Sequence, residues 1–139
     1  MPEQSEQASS ANDGGRQSFA ALYGPLAKEV FHRLVGEAMA EGSDPDERAR
    51  EYAELGKPDF ALAYLLAGAL PEPQRREVLA RAYDRRADTT EARAREFDSR
   101  FHRPFPMLFT EAANDRAIAR TIRAGRPIRP GAGRMLPQR

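Results

Sequence analysis

Apolar residues recur at helical spacing near the start of the chain. Side chains four residues apart share one helix face, and the apolar residues with that spacing are Leu22, Leu26, Val30 and Leu34. Pro25 suits a first helical position and Gly42 suits a C-terminal stop. The pattern predicts a helix from Pro25 to about Glu41, preceded by a short turn through Phe19, Leu22 and Tyr23 that Ser18 caps.

Three further helices follow from start and stop signals. The segment Asp44-Pro45-Asp46-Glu47 combines a cap, a first-turn proline and an acid, so it predicts a second helix that ends at Gly56. A third helix opens at Pro58 and is apolar almost all round, which is typical of a helix in the middle of a bundle. Pro71 separates it from a fourth helix.

The last two predicted helices begin at Asp88-Thr89-Thr90-Glu91, a capping box, and at Thr110, and the second of them stops at Gly125. No segment shows sustained alternation of apolar and polar residues. We therefore expect an all-α fold, a small bundle or array of helical hairpins with five to six helices. It should span residues 18–125, between a disordered acidic-polar head (1–17) and an extended Arg/Pro/Gly tail (126–139).

The segment Phe97–Phe109 holds four of the seven Phe residues. Phe97 and Phe101 lie four apart, and Pro104 and Pro106 stop the helix that carries them. His102 lies where this helix should end, close to the negative end of its dipole. We expect this segment to be the best-buried part of the chain and the other helices to pack on it.

Two short segments repeat each other. Tyr52 is followed by Gly56 and Ala61, and Tyr83 is followed by Ala87 and Ala92. The sequence around them, about residues 46–103, resembles the middle of a tetratricopeptide repeat, in which small residues let two helices approach closely. The resemblance implies a concave surface that binds a peptide or a partner protein, and it identifies no binding residue.

Charge is distributed unevenly along the chain. The net charge is +1, but residues 1–18 sum to −2 and residues 116–139 carry seven Arg and no acid. The predicted sixth helix and the tail thus form a basic stripe, and its candidate residues for contact with a partner or an anion are Arg116, Arg120, Arg123, Arg126, Arg129 and Arg134. The alternative without a function is a solvated helix face followed by a solubilising tail. The abundance of Arg, Ala, Gly and Pro would then reflect a GC-rich genome.

These features predict a non-catalytic interaction or adaptor protein that binds a protein partner or assembly. The alternative is a protein that associates with nucleic acid without reading its sequence, because an Arg stripe meets phosphates by charge alone. No aromatic residue follows Phe109, which argues against base stacking. The sequence has no nucleophile elbow and no phosphate-binding loop, so we expect neither enzymatic activity nor a cofactor.

A remote hypothesis is a metal site. Glu29 and His32 are three residues apart on a predicted helix, as in di-iron bundles, and a dimer would supply a second copy of the motif. The chain has no Cys, which excludes disulfides. Its longest nearly apolar run, residues 60–70, is too short to span a bilayer. With no recognisable signal peptide, we expect a cytoplasmic location.

Overall fold

A computed structural model describes residues 17–128, and every regular element in this range is helical. The six α-helices are α1 Phe19–Tyr23, α2 Glu29–Ala40, α3 Pro45–Glu54, α4 Pro58–Ala67, α5 Glu72–Phe101 and α6 Pro106–Arg123, with a 3-10 helix, Gly24–Leu26, between α1 and α2. The prediction of an all-α fold with five to six helices is confirmed. The predicted head and tail lie outside the described residues, except for residue 17 and residues 126–128.

Several helix ends follow the local chemistry of the sequence. The Ser18 hydroxyl accepts from the Ala21 N–H at 3.2 Å, and the Asp44 carboxylate accepts from the Asp46 N–H at 3.1 Å, so both predicted caps are confirmed. Gly56 turns the chain between α3 and α4 with φ +71°. A Cβ there would lie 3.0 Å from the Arg86 backbone nitrogen, because α5 crosses this turn closely.

The main core lies where α1, α4, the first half of α5 and the end of α6 meet. Its largest fully buried side chains are Tyr23, Phe19, Leu65, Leu79 and Ile122. The Phe19 and Tyr23 rings meet edge to face at 5.1 Å, and the Phe19 N–H donates to the Glu72 carboxylate at 2.8 Å. We call residues 19–87 and 116–128 the base, and residues 88–115, the far part of the α5–α6 pair, the distal hairpin.

The first predicted helix is interrupted. Gly24 and Pro25 form a 3-10 turn and Ala27 is extended, so the helical phase is lost before α2 begins at Glu29. The predicted stripe is therefore only partly covered, with Val30 48% exposed. The side of α2 that carries Phe31 packs on α4 instead, where the Phe31 and Phe60 rings lie 4.6 Å apart.

The predicted break between the fourth and fifth helices is wrong, since α5 is one helix of 30 residues. The capping-box carboxylates of Asp88 and Glu91 accept hydrogen bonds from Arg116 of α6, at 3.0 and 2.7 Å, instead of capping a helix start. Ala87 and Ala94 are buried on either side of the capping box, along the helix that packs on α6. The second copy of the Tyr-based repeat therefore lies within one helix, whereas the first forms the α3–α4 hairpin. Membership of the tetratricopeptide family stays a prediction.

The expectation that Phe97–Phe109 is the best-buried segment is also wrong. These residues form the free end of the α5–α6 pair, where no other described helix covers them, and Phe101 is 52% and Met107 60% exposed. α6 begins at Pro106 rather than near Thr110, whose hydroxyl donates to the Pro106 carbonyl at 3.1 Å. The prediction that His102 ends the preceding helix is confirmed.

Candidate functional site

A cluster of apolar side chains lies at the free end of the distal hairpin. We call it the aromatic tip, and it consists of Phe97, Phe101, Phe105, Met107 and Phe109. The Phe97 ring lies 5.2 Å from that of Phe105 and 5.8 Å from that of Phe101. These contacts order the rings, yet they leave Phe101, Met107 and Phe109 between 39% and 60% exposed. An ordered and uncovered apolar group of this kind is typical of a binding surface.

The backbone at the tip is closely constrained. His102 adopts the left-handed conformation with φ 54°, and its N–H donates to the Asp98 carbonyl at 2.8 Å, which ends α5. Pro104 and Pro106 each fix one backbone angle. The Leu108 N–H donates to the Phe105 carbonyl at 3.1 Å in the first turn of α6. The rings are thus presented by a loop that has little freedom left to lose on binding.

Basic side chains lie at the end of the hairpin, and unpaired acidic side chains lie further along its two helices. Residues 99–110 contain two Arg, one His and no acid. Arg100 forms an ion pair with Glu96 at 3.2 Å, whereas Arg103 forms none with any side chain in residues 17–128. Asp98 and Glu111 lie below the tip on α5 and α6, and they too have no ion-pair partner in that range. The end of the hairpin is therefore basic. Asp98 and Glu111, which we call the acidic collar, carry charges that no ion pair in residues 17–128 neutralises.

An ion pair between a buried carboxylate and a partly exposed guanidinium joins the distal hairpin to the base. Asp115 of α6 is 4% exposed, and its carboxylate accepts two hydrogen bonds from Arg86 of α5, at 2.9 and 3.0 Å. Such a bidentate pair has a fixed geometry. The hydrogen bond with Asp115 raises the pKa of Arg86, and burial raises the pKa of Tyr83, whose ring lies beside the Arg86 guanidinium, to about 12. Arg86 and Tyr83 keep their ordinary protonation states at neutral pH. The charged Arg86 side chain therefore binds Asp115 and holds α5 and α6 together.

Two residues of the predicted basic stripe bind acids of α5. Arg116 donates to Asp88 and Glu91, as described above, and Arg123 donates to Glu77 at 2.8 and 2.9 Å and to Asp84 at 2.8 Å. Hydrogen bonds with these carboxylates raise the pKa of both guanidinium groups. Arg116 and Arg123 therefore connect two helices of the same chain and are only partly available to a partner.

The remaining residues of the stripe have different surroundings. Arg120 is exposed and forms no ion pair within the part of the chain that the structure describes. The Arg126 side chain is also exposed, while its carbonyl accepts from the Tyr23 hydroxyl at 2.7 Å. Arg129 and Arg134 lie outside the described residues. The structure thus does not present the four described Arg residues as one uniform basic surface.

The pairing between α5 and α6 has a signal in the sequence. Two Arg of α6 are seven residues apart, and the acids they bind on α5 have helical spacings of seven, four and three: Glu77, Asp84, Asp88 and Glu91. In an antiparallel pair of helices these two sets lie opposite each other. The match of spacings would have predicted that the Arg residues face α5 instead of solvent.

Residues 17–128 offer little support for a metal site or for a site that binds a small molecule. Glu29 and His32 are exposed on α2, and residues 17–128 contain no group of three or more His, Cys, Asp or Glu side chains able to hold a metal. A shallow cleft beside the start of α4 measures about 190 Å³ and is lined in part by Phe31, Lys57 and Asp59. It is smaller than the usual site for a small organic ligand.

Comparisons with protein-family models, with curated proteins and with solved structures found no match. Within residues 17–128, no helix combines the length and the apolar character needed to cross a membrane. The aromatic tip and the partly occupied basic stripe are two candidate functional surfaces, and both must be interpreted from their own chemistry.

Proposed function

We propose that this chain is a non-catalytic helical interaction protein that binds a protein partner through its aromatic tip. The observation that carries the proposal is the exposure of Phe101, Met107 and Phe109 at an ordered helix-to-helix turn. With about 200 Å² for a large apolar side chain, these three residues expose about 300 Å² of mostly apolar surface. Apolar patches of this size on a protein surface are often functional, and covering one with a partner is favourable.

The composition of the tip suits a protein interface. Phe, Met and Arg are enriched in the cores of such interfaces, and the tip combines four Phe, one Met and the neighbouring Arg103. The aromatic rings have few rotatable bonds, and contacts with one another already restrict three of them. A partner would therefore gain apolar contact at a small cost in side-chain entropy.

The basic stripe is a second contact region in this proposal, with a reduced set of residues. Arg120 and Arg126 remain exposed on the base, whereas Arg116 and Arg123 are held by acids of α5. The affinity of a basic surface for nucleic acid grows with the number of phosphates that it neutralises. The internal pairing of two Arg residues therefore favours a protein as the partner.

The test is photocrosslinking in cells that express the full chain. A photoreactive phenylalanine replaces Phe101 in one variant and Leu55 in the other. Leu55 is the matched control, since it is 62% exposed and lies at the end of α3, outside the tip. We expect protein adducts at position 101 that persist after nuclease treatment, and none at position 55.

Substitution of the tip supplies the complementary arm. In affinity purification of the full chain, Phe101→Ser with Met107→Ser should reduce recovery of the partner that crosslinking identified at least about 10-fold, because it removes much of the exposed apolar contact. Undiminished recovery with this variant, together with loss after Arg120→Ala and Arg126→Ala, would transfer the contact to the basic stripe. Recovery that disappears with nuclease would instead support the nucleic-acid alternative.

A further inference from the structure

The charges near the aromatic tip change sign over a short distance. Arg103 lies in the turn between the two helices, and Asp98 and Glu111 lie inside α5 and α6. At a rise of about 1.5 Å per residue, the two acids lie roughly 5 to 8 Å below the ends of their helices. None of these three side chains has an ion-pair partner within residues 17–128, whereas Arg100, Asp88 and Glu91 of the same hairpin are paired.

A twofold arrangement would pair these charges. When two hairpins overlap tip to tip in opposite directions, the end of each one faces the collar of the other. A symmetric dimer uses the same surface on both copies. A group at one position along the hairpin of one copy therefore contacts a different group, at another position, on the second copy. An overlap of about two helical turns, or roughly 10 Å, would bring Arg103 of one chain next to the acidic collar of the second chain.

We propose that the protein partner of the aromatic tip is a second copy of this chain, bound through a twofold overlap of two distal hairpins. The inference rests on the proposed function, because it uses the same surface and names the partner. The overlap covers Phe101, Met107 and Phe109 of both copies. It gives both the apolar surface and the unneutralised charges a partner without any further molecule.

The acidic collar distinguishes this partner from an anionic membrane surface. Exposed Phe and Met beside Arg103 also suit insertion into lipid headgroups. Insertion, however, would bring Asp98 and Glu111 close to anionic lipids, which repel them. The acids that oppose membrane binding are the groups that complete the twofold pairing.

The size of the surface sets the expected strength of the dimer. The tip exposes about 300 Å² of mostly apolar surface per copy, whereas a standard stable interface covers about 800 Å² per partner. Helix flanks must supply the remainder, and they are largely polar here. We therefore expect a reversible dimer with a dissociation constant on the order of micromolar.

The first test is sedimentation velocity of the full chain over a concentration series from about 1 to 200 µM, a range that brackets micromolar association. We expect a shift from monomer to dimer. Phe101→Ser with Met107→Ser should weaken association at least about 10-fold, and Leu55→Ser, an equally exposed apolar site in the base, should leave it unchanged. A dimer that tolerates the tip variant, or one that Leu55→Ser weakens equally, would overturn the proposal.

A charge exchange tests the twofold pairing. Arg103→Glu should shift the chain to monomer, because it faces the acidic collar of the second copy. Adding Asp98→Arg to the same chain should restore association, since both new charges are present in each copy. Failure of the double variant to recover would contradict the overlap. Thermal melts of each variant confirm that the chains are folded.

The outcome for the wild-type chain separates this inference from the proposed function. A chain that remains monomeric at every concentration excludes the second copy as partner. The photocrosslinking experiment then still decides whether the tip binds a different protein. Adducts at position 101 with the mass of two chains, combined with concentration-dependent association, would support both proposals together.

Discussion

The base and the distal hairpin are stabilised in different ways. In the base, large side chains such as Phe19, Tyr23 and Leu65 are fully buried against several helices. In the distal hairpin only Ala94, Ala112 and Asp115 are buried, and the large apolar residues lie at the exposed end. One region is held by its apolar core, and the other by small residues and ion pairs between two helices.

This difference shows that local apolar content does not decide where a core forms. The hairpin end is the segment richest in Phe, but within residues 17–128 it has only two helices to cover it. The core of the base receives buried residues from all six α-helices, so even a five-residue helix such as α1 contributes two fully buried aromatic rings. Burial depends on how many elements surround a position, and a surplus of apolar residues beyond that cover becomes exposed surface.

The largest expected effect is a difference between two Phe residues. Phe19→Ala should destabilise the chain by about 3–5 kcal/mol, because it removes a fully buried ring from a close-packed site. Phe101→Ala should cost less than about 1 kcal/mol, since the ring already lies half in water. Urea denaturation of both variants, monitored by circular dichroism, measures the two losses.

The same measurement can contradict the distinction between the base and the distal hairpin. Similar losses for Phe19→Ala and Phe101→Ala would mean that the distal hairpin contains a core of its own. The chain is measured at low concentration, where association through the tip contributes little to the apparent stability.

A second comparison concerns the two partners of the Arg86–Asp115 ion pair. Arg86→Met should cost about 3 kcal/mol or more, because it leaves the Asp115 carboxylate buried without a counterion. Asp115→Leu should cost less, since the Arg86 side chain is 40% exposed and its guanidinium can reach water. Chemical denaturation of both variants gives the two values. Equal losses would show that the two partners are desolvated to the same extent.

Local features of the fold were predictable from the sequence. Ser18 and Asp44 cap the helices that they were predicted to cap, and Pro58 begins α4 as expected. These features depend on contacts between residues close in sequence, and the all-helical pattern has the same origin. The basic stripe of six Arg residues stays a prediction, and what Arg116 and Arg123 bind was not anticipated.

The errors concern contacts between distant segments. The capping box at Asp88 is a valid local signal, yet Arg116, 28 residues later, binds its side chain and α5 continues. The exposure of Phe101 arises because, among the described residues, no third helix reaches the hairpin end, and no local pattern records this. Arg123 was interpreted as part of a free stripe because its acids lie 39 and 46 residues earlier in the chain. Tertiary packing decides such features, and the spacing of charges on α5 and α6 was the available clue.

The smallest expected effect is a dependence of stability on pH at the junction of α6 with the base. The hydrogen bond from Arg123 holds the pKa of Glu77 below its ordinary value. A carboxyl group with a lowered pKa stabilises the folded chain above the pKa of the unfolded state. That contribution is lost as the pH falls through the pKa of the folded state.

Both side chains are partly exposed, so solvent screening limits the contribution at neutral pH to about 1 kcal/mol or less. Arg123→Gln should therefore lower the stability most near pH ~7 and progressively less toward pH ~3, as Glu77 takes up its proton. Arg120→Gln is the matched control, because Arg120 forms no ion pair within residues 17–128 and its replacement should cause no such trend. Thermal melts at a series of pH values measure both differences from the wild-type chain. A loss for Arg123→Gln that stays constant across this range would show that Arg123 stabilises the junction by packing, as apolar residues do in the base, and not by charge.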